Sequence, residues 1–247
     1  MTEKTNLTKT LGGIKITDEQ DYGTIATTGG VKATVSFAVD TISVNGSLKC
    51  ERDATLRSGS VNGAAKVVGN LELGKTVING GLNTAFLHVT NSAIVNGSCE
   101  VQGGIQLDPE AKLNVNGKVK TSTITGGKLL RLVGLLDIQE ISEVTDLDII
   151  GVLEGRTLSA SGNITFDVRK QESSLVTIRA TNVEVGYDLS DQEVEVFKRD
   201  QAGHLVVEEI HATGKVELDH CTVAKVYAKE LYAGDDVSIG EFIEVDS

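Results

Sequence analysis

Apolar residues recur along this chain on two superposed rhythms. The fine rhythm has a period of two: around Gly46, Val44 and Leu48 are apolar while Asn45 and Ser47 are polar, the alternation of a strand with one face buried. The coarse rhythm has a period of 17. Gly stands at 12, 29, 46, 63, 80, 97, 117, 134 and 151, so every interval is 17 residues except one of 20. Two places after each Gly comes Ile14, Val31, Leu48, Ala65, Leu82, Cys99, Val119, Leu136 or Leu153. Two places before it, from the third repeat on, comes Val44, Val61, Ile78, Val95, Val115, Leu132 or Ile149. With 27 Gly in 247 residues, chance would fill about one of the eight successor positions.

Asn precedes Gly at 45, 62, 79, 96 and 116, and Asn-Gly is ordinarily a hairpin signal. The flanking runs are too short for independent hairpins, whereas a 17-residue coil returning above itself stacks each apolar residue on its equivalent one turn below. The fold class is therefore all-β, a parallel β-solenoid with coils of about 17 residues. A flexible tail is expected over 1–10, a regular β-helix over 11–160 and a less regular second solenoid segment over 161–247. In that last stretch Ile178–Gly186 and Leu231–Gly240 look like one element used twice, and the pairs Gly151/Gly162 and Gly203/Gly214 share a spacing of 11. The single 20-residue interval holds Gly103-Gly104-Ile-Gln-Leu-Asp-Pro109-Glu110 with the only Pro, the signature of a loop pushed out at a corner. Over 128–158, Leu129, Leu132, Val133 and Leu136 also fit a helix face, but Gly134 and Gly151 keep the solenoid beat, and strand is the favoured reading.

Composition refines this picture. Hydrophobic residues make up 40% and aromatics 4%, with no Trp, so the core is built from Val, Ile, Leu and Ala. The net charge of −12 argues against nucleic acid as a partner, because phosphate neutralisation needs basic surface. The charge is uneven: residues 1–136 carry 14 Lys/Arg against 11 Asp/Glu, and residues 137–247 carry 9 against 24. No apolar run reaches the ~20 residues of a membrane span and the first residues lack a signal-peptide core, so a cytoplasmic protein is expected. Cys50, Cys99 and Cys221 are too scattered for a disulfide framework or a metal site; Cys50 and Cys99 fall on the apolar face.

Candidate chemistry is sparse. Gly69-Asn-Leu-Glu-Leu-Gly74-Lys75-Thr76 matches the phosphate-loop formula letter for letter, but that loop needs a helix after Thr76, and here the next solenoid bend follows. His88, His204, His211 and His220 form no paired-histidine motif, and His220-Cys221 places its side chains on opposite strand faces. The acidic runs Asp188–Glu195 and Asp235-Asp236 lack the alternating ligand spacing of a Ca²⁺ loop and read as solvated edges. No catalytic, cofactor or metal site is expected. What remains is an absence of capping elements: the repeat starts near the N-terminus and Val237–Val245 is still strand-like. Uncapped coils imply that another copy supplies the cap, with Ile14, Ile16, Phe242 and Ile243 as the candidate self-assembly contacts.

The runs Val44-Asn-Gly-Ser-Leu-Lys-Cys50, Val61-Asn-Gly-Ala64, Val95-Asn-Gly-Ser-Cys-Glu-Val101, Val115-Asn-Gly-Lys-Val119 and Ile178-Arg-Ala-Thr-Asn-Val-Glu-Val-Gly186 resemble the bactofilins, in particular longer two-part bactofilin-like polymer-forming proteins. The resemblance implies a right-handed β-helix that self-assembles into nucleotide-independent cytoskeletal filaments serving cell shape, cell-wall organisation or motility. The implied partners are further copies, other bactofilin-like proteins and proteins of the membrane or cell wall. The chain lacks the Pro-rich tails typical of that family. Two other readings compete: a hexapeptide-repeat acyltransferase, which resembles 18-residue left-handed coils with a catalytic His, and a nucleotide-binding protein built on Gly69–Thr76.

Overall fold

The computed structural model describes residues 4–169, 171–186 and 203–245. Among them every regular element is a strand, and each strand pairs in parallel with its equivalent in the neighbouring coil, as Ile14–Ile16 does with Val31–Ala33 and that strand in turn with Leu48–Cys50. The chain divides into two compact units, residues 1–121 and 122–247.

In unit 1 the strands are β1 (Thr5–Lys9), β2 (Ile14–Ile16), β3 (Asp21–Thr27), β4 (Val31–Ala33), β5 (Phe37–Val44), β6 (Leu48–Cys50) and β7 (Ala54–Val61). They continue as β8 (Ala65–Val67), β9 (Asn70–Ile78), β10 (Leu82–Thr84), β11 (Phe86–Val95), β12 (Cys99–Val101), β13 (Ile105–Leu107) and β14 (Lys112–Thr125), whose last four residues belong to unit 2. Each coil contains three short straight runs. In one coil these are 37–39, 42–44 and 48–50, whose inward residues Phe37, Val39, Ile42, Val44, Leu48 and Cys50 are all buried. The register is the one the glycine beat dictates. Ile14, Val31, Leu48, Ala65, Leu82, Cys99 and Val119 form one continuous column, and Val44, Val61, Ile78, Val95 and Val115 form another.

The beat has a steric cause. A Cβ at Gly46 would lie 2.7 Å from the carbonyl carbon and oxygen of Gly29, one at Gly63 2.5 Å from the Gly46 oxygen, and one at Gly80 2.6 Å from the Gly63 oxygen. Each glycine thus presses its backbone on the glycine below, and no side chain fits between. The preceding Asn residues form a second device. Asn62 donates its Nδ2 to Asn45 Oδ1 at 2.7 Å, Asn79 to Asn62 at 2.7 Å, Asn96 to Asn79 at 2.8 Å and Asn116 to Asn96 at 2.8 Å. This amide ladder, of the kind seen in stacked parallel strands, pins the corner of five successive coils.

Two expectations are corrected in unit 1. The segment read as a flexible tail carries β1, which pairs with β3 in parallel. Lys4 fixes its start by donating to both carboxylate oxygens of Asp40 at 2.7 and 2.9 Å, which holds the Asp40 carboxyl below the ordinary carboxylate range. The 20-residue interval is not one loop. Ile105 and Leu107 stay in the core as β13, paired with Leu87 and Val89, so the extra residues are shared between the corner at Gly103-Gly104 and the turn at Asp108–Glu110, closed by Ala111 N–H donating to the Asp108 carbonyl at 2.8 Å.

Unit 2 contains β15 (Leu129–Val144), β16 (Asp146–Glu154), β17 (Thr157–Ala160), β18 (Asn163–Val168), β19 (Glu172–Ala180) and β20 (Asn182–Gly186). Then come β21 (His204–Ala212), β22 (Lys215–Leu218), β23 (Cys221–Ala228), β24 (Glu230–Ala233) and β25 (Val237–Glu244). One core column runs Leu130, Leu147, Ile164, Val183, Val216, Leu231. Its members are unevenly spaced in sequence, so coil length varies while stacking persists. Residues 129–144, 146–154 and 157–160 are strand, and the helical look of Leu132-Val133 has a specific origin. The alternation breaks at a corner, where Val133 and Ile150 form a small buried pair of their own and Gly134 stacks on Gly151. The likeness between Ile178–Gly186 and Leu231–Gly240 does not reflect the register: Ile178 stacks on Ile210, whereas Leu231 shares a column with Val183.

Gly59 lies between Ile42 and Thr76 with φ of 117°, and a Cβ there would overlap the Ile42 carbonyl oxygen. At Gly81 the nearest atom to a Cβ is the movable Ser98 Oγ at 3.0 Å. Gly59→Ala is expected to lower stability by about 1–3 kcal/mol from backbone strain alone, with Gly81→Ala within about 0.5 kcal/mol of the parent. Urea midpoints of the two variants check this, and equal midpoints would contradict the steric account.

Candidate functional site

The phosphate-loop reading fails on geometry. Asn70–Ile78 is one strand, Leu71 and Leu73 point into the core, and buried Thr76 donates its hydroxyl to the Leu56 carbonyl at 3.1 Å. Gly74 packs against the Arg57 carbonyl, so Gly69–Thr76 forms neither the loop nor the helix N-terminus that a phosphate requires.

The histidines are dispersed. His88 sits on the outer surface of β11, its Nε2 2.8 Å from Asp108 Oδ1 and its Nδ1 3.8 Å from Glu72 Oε2, a polar cluster tying neighbouring coils. His211 stacks on Tyr227 with ring centroids 4.4 Å apart and reaches Glu209 at 3.0 Å. His204 contacts Thr222 at 2.9 Å, and His220 lies 3.2 Å from Asp219 beside buried Cys221. Apart from one 20-residue interval, the coils of unit 1 repeat every 17 residues, whereas the hexapeptide-repeat reading expects 18. Cys50, Cys99 and Cys221 are all free thiols and buried. Burial pushes the Cys99 and Cys221 thiols up to about 12 and raises that of Cys50, which suppresses the nucleophilic thiolate.

Asp188–Glu195 lies outside the described residues. Among those described, no group of three or more His, Cys, Asp or Glu side chains is arranged to hold a metal ion, and no helix is long and apolar enough to cross a membrane. Sequence reasoning missed the Asp167–Arg169 ion pair, buried in unit 2 with the two residues 1% and 6% exposed; nothing in the local pattern marks it. It also missed a lysine row. Lys15, Lys32, Lys49 and Lys66 are in register on the outer face of β2, β4, β6 and β8. The signal was present, since each is the polar residue between two core positions of its repeat.

The terminal strands have open edges. Among the described residues β1 pairs only with β3 and β2 only with β4, while β24 pairs only with β22 and β25 only with β23. Each of these strands therefore presents one edge of unpaired backbone. At the unit 2 edge the core columns are cut open. Phe242 continues the column Ile178, Ile210, Val226, whose members are each 0% exposed, yet Phe242 is 43% exposed. Ile239 and Leu231 end two further buried columns half-exposed, Ile243 is half-buried, and Tyr232 is 55% exposed. At the unit 1 edge, Leu7 is half-buried over fully buried Ile25, and Leu11 is 82% exposed. Ile14 and Ile16 belong to the terminal coil, but they point inward and are 9% and 1% exposed.

No family model matches the chain, and neither a curated protein nor a solved structure is found to be similar to it.

Two expectations follow from these placements. Native protein at pH 8 should leave all three thiols unmodified by iodoacetamide, with three modified in guanidinium; alkylation of native Cys221 would show that the coil around it opens. Lys49→Glu, between Lys32 and Lys66, replaces two like-charge neighbours by opposite ones. It should stabilise by about 0.5–1 kcal/mol at low salt, and the gain should shrink in ~1 M NaCl, where the screening length is about 3 Å. Thermal melts at the two salt concentrations measure it.

Proposed function

We propose that this protein is a non-enzymatic, bactofilin-like scaffold of the cytoplasm whose copies polymerise through the open edges of the two units, without nucleotide. One observation carries the reading: columns that are fully buried inside unit 2 emerge at its last coil, most clearly at Phe242. An apolar column ended in water loses the burial that each inner coil enjoys, about 25 cal/mol per Å² of exposed apolar surface, and an unpaired parallel edge is a template for a further strand. Another copy supplies both at once. The resemblance of the Val-Asn-Gly runs to the bactofilins supports the same reading, as do the dispersed histidines and inert thiols.

Negative-stain electron microscopy of the purified chain without nucleotide should show filaments. Phe242→Glu should shorten or abolish them while leaving the melting of the protein close to that of the parent, because the side chain is already half in water. Ile14→Glu is a poorer probe, since it buries a charge in the first coil and costs folding stability. A monodisperse monomer across salt and protein concentration would falsify the proposal.

A further inference from the structure

Asn-Gly pairs stand at 45–46, 62–63, 79–80, 96–97 and 116–117, all on the laddered corner of unit 1, and the chain has no others. In such a pair the glycine carries no side chain to hinder its own nitrogen. That nitrogen bonds to the asparagine Cγ, the Cγ–Nδ2 bond breaks and ammonia leaves. Water then opens the cyclic imide to aspartate or isoaspartate, so that one amide and one water become one carboxylate and one ammonium. Exposure does not rank the five asparagines, since Asn45, Asn62, Asn79 and Asn96 are all exposed and Asn116 is half-buried. The ladder does rank them.

The ladder has a direction. Asn62, Asn79, Asn96 and Asn116 each donate Nδ2 to the amide one coil below, and Asn45, Asn62, Asn79 and Asn96 each accept on Oδ1 from the amide one coil above. The row ends below Asn45, where the equivalent residue is Thr28, whose hydroxyl donates to the Thr10 carbonyl at 2.5 Å. Among the described residues Asn45 is thus the ladder member whose Nδ2, the atom that must leave, is held by no other amide. We propose that Asn45 is a site of spontaneous deamidation and that the ladder protects the other four. Swinging Cγ onto the glycine nitrogen breaks two ladder bonds at Asn62, Asn79 or Asn96 but one at Asn45, and a bond of ordinary net strength slows the reaction roughly three- to tenfold. At Asn116 one bond breaks as well, but it is the bond that holds the leaving nitrogen. The product also fits best at the end of the row. A carboxylate only accepts, and at position 45 it still receives Asn62 Nδ2, in a bond strengthened by charge. At position 79 it has nothing to donate to Asn62 Oδ1, so Asn62 and Asn45 must both turn their amides over for the ladder to keep its bonds.

Incubating the native chain at mildly alkaline pH and mapping its peptides by mass spectrometry reads the conversion at each pair. Asn45 should convert roughly three- to tenfold faster than Asn62, Asn79 and Asn96, and faster than Asn116, whereas in guanidinium the five should convert at similar rates. Asn45→Ala removes the last acceptor and releases Asn62 Nδ2, so Asn62 should rise to the rate that Asn45 has in the parent while Asn79 and Asn96 stay slow. Asn45→Asp keeps the acceptor, and in that variant Asn62 should stay slow too. Equal native rates along the ladder, faster conversion at any member other than Asn45, or no conversion at Asn45 while the unfolded control goes to completion would each overturn the proposal. So would an Asn62 rate that Asn45→Ala does not raise selectively.

Discussion

Vertical superposition of equivalent backbone is the constraint from which the rest of this structure derives. In unit 1 a glycine touches the glycine one coil below with no room for a Cβ between them, and that contact sets both the repeat length and the phase of every other position. Once it is fixed, each side chain has its own equivalent as its nearest neighbour, about 4.8 Å away. The chemistry of the chain is then the chemistry of like on like. Valine on valine, as in Val44 over Val61, keeps both side chains out of water. Asparagine on asparagine is equally favourable, because each amide is donor on one side and acceptor on the other, and the five side chains from Asn45 to Asn116 polarise in one direction.

Like on like also has an unfavourable case, which arises wherever charged residues stack. Lysine over lysine, as in Lys15 to Lys66, has no self-complementary arrangement; Lys32 reaches sideways to Glu51 at 3.5 Å. Elsewhere the conflict is settled by alternation along the stack. Arg57 lies 3.2 Å from Asp21 and from Asp40, with Lys4 closing the other side of Asp40. In unit 2 Arg131 pairs with Asp148 at 3.1 Å on the coil above, and Lys225 stands between Glu209 and Glu241 in one column. Pairs as open to water as these are individually weak. Their effect is on register, since a one-residue slip turns each charge to the other face and away from its opposite partner.

The architecture of unit 1 was legible because one steric contact writes a period into the sequence. The glycine beat, the flanking apolar residues and even the buried placement of Cys50 and Cys99 follow from it. Legibility ended where the contact changed kind. At the 20-residue interval Ile105 and Leu107 keep the fine alternation while the coarse beat slips at two corners, which a single pattern of glycines does not resolve. At Val133-Gly134 a corner turns two consecutive residues into buried ones and imitates a helix. In unit 2 the stacking survives without a constant coil length, so matching Ile178 to Leu231 by eye aligns letters from different columns. The open edges were legible as an absence of caps, but the choice of Ile14 and Ile16 as contact residues was not: strand alternation says only that they lie on the same face as Val31 and Leu48, and that face is the interior. Phe242 lies on such a face too, and it is exposed only because no coil covers it.

A stack of identical contacts contains no instruction to stop. Every inner coil of unit 2 buries Ile178, Ile210 and Val226 completely because it has a neighbour on both sides, and β25 differs from β23 in having only one. Termination in such a fold needs something foreign to the repeat: a charged inward residue, a bulge, a covering element. The last coil places its carboxylates on the rim and keeps Ile239 and Phe242 in their columns, so the surface it offers is a cross-section of the core, edged with negative charge. The first coil carries charges of both signs, Lys4, Lys9 and Lys15 with Asp18 and Glu19. The interaction that winds one coil onto the next is therefore left unsatisfied at the last coil, where Phe242 and Ile239 end columns whose other members Val226 and Val223 are buried.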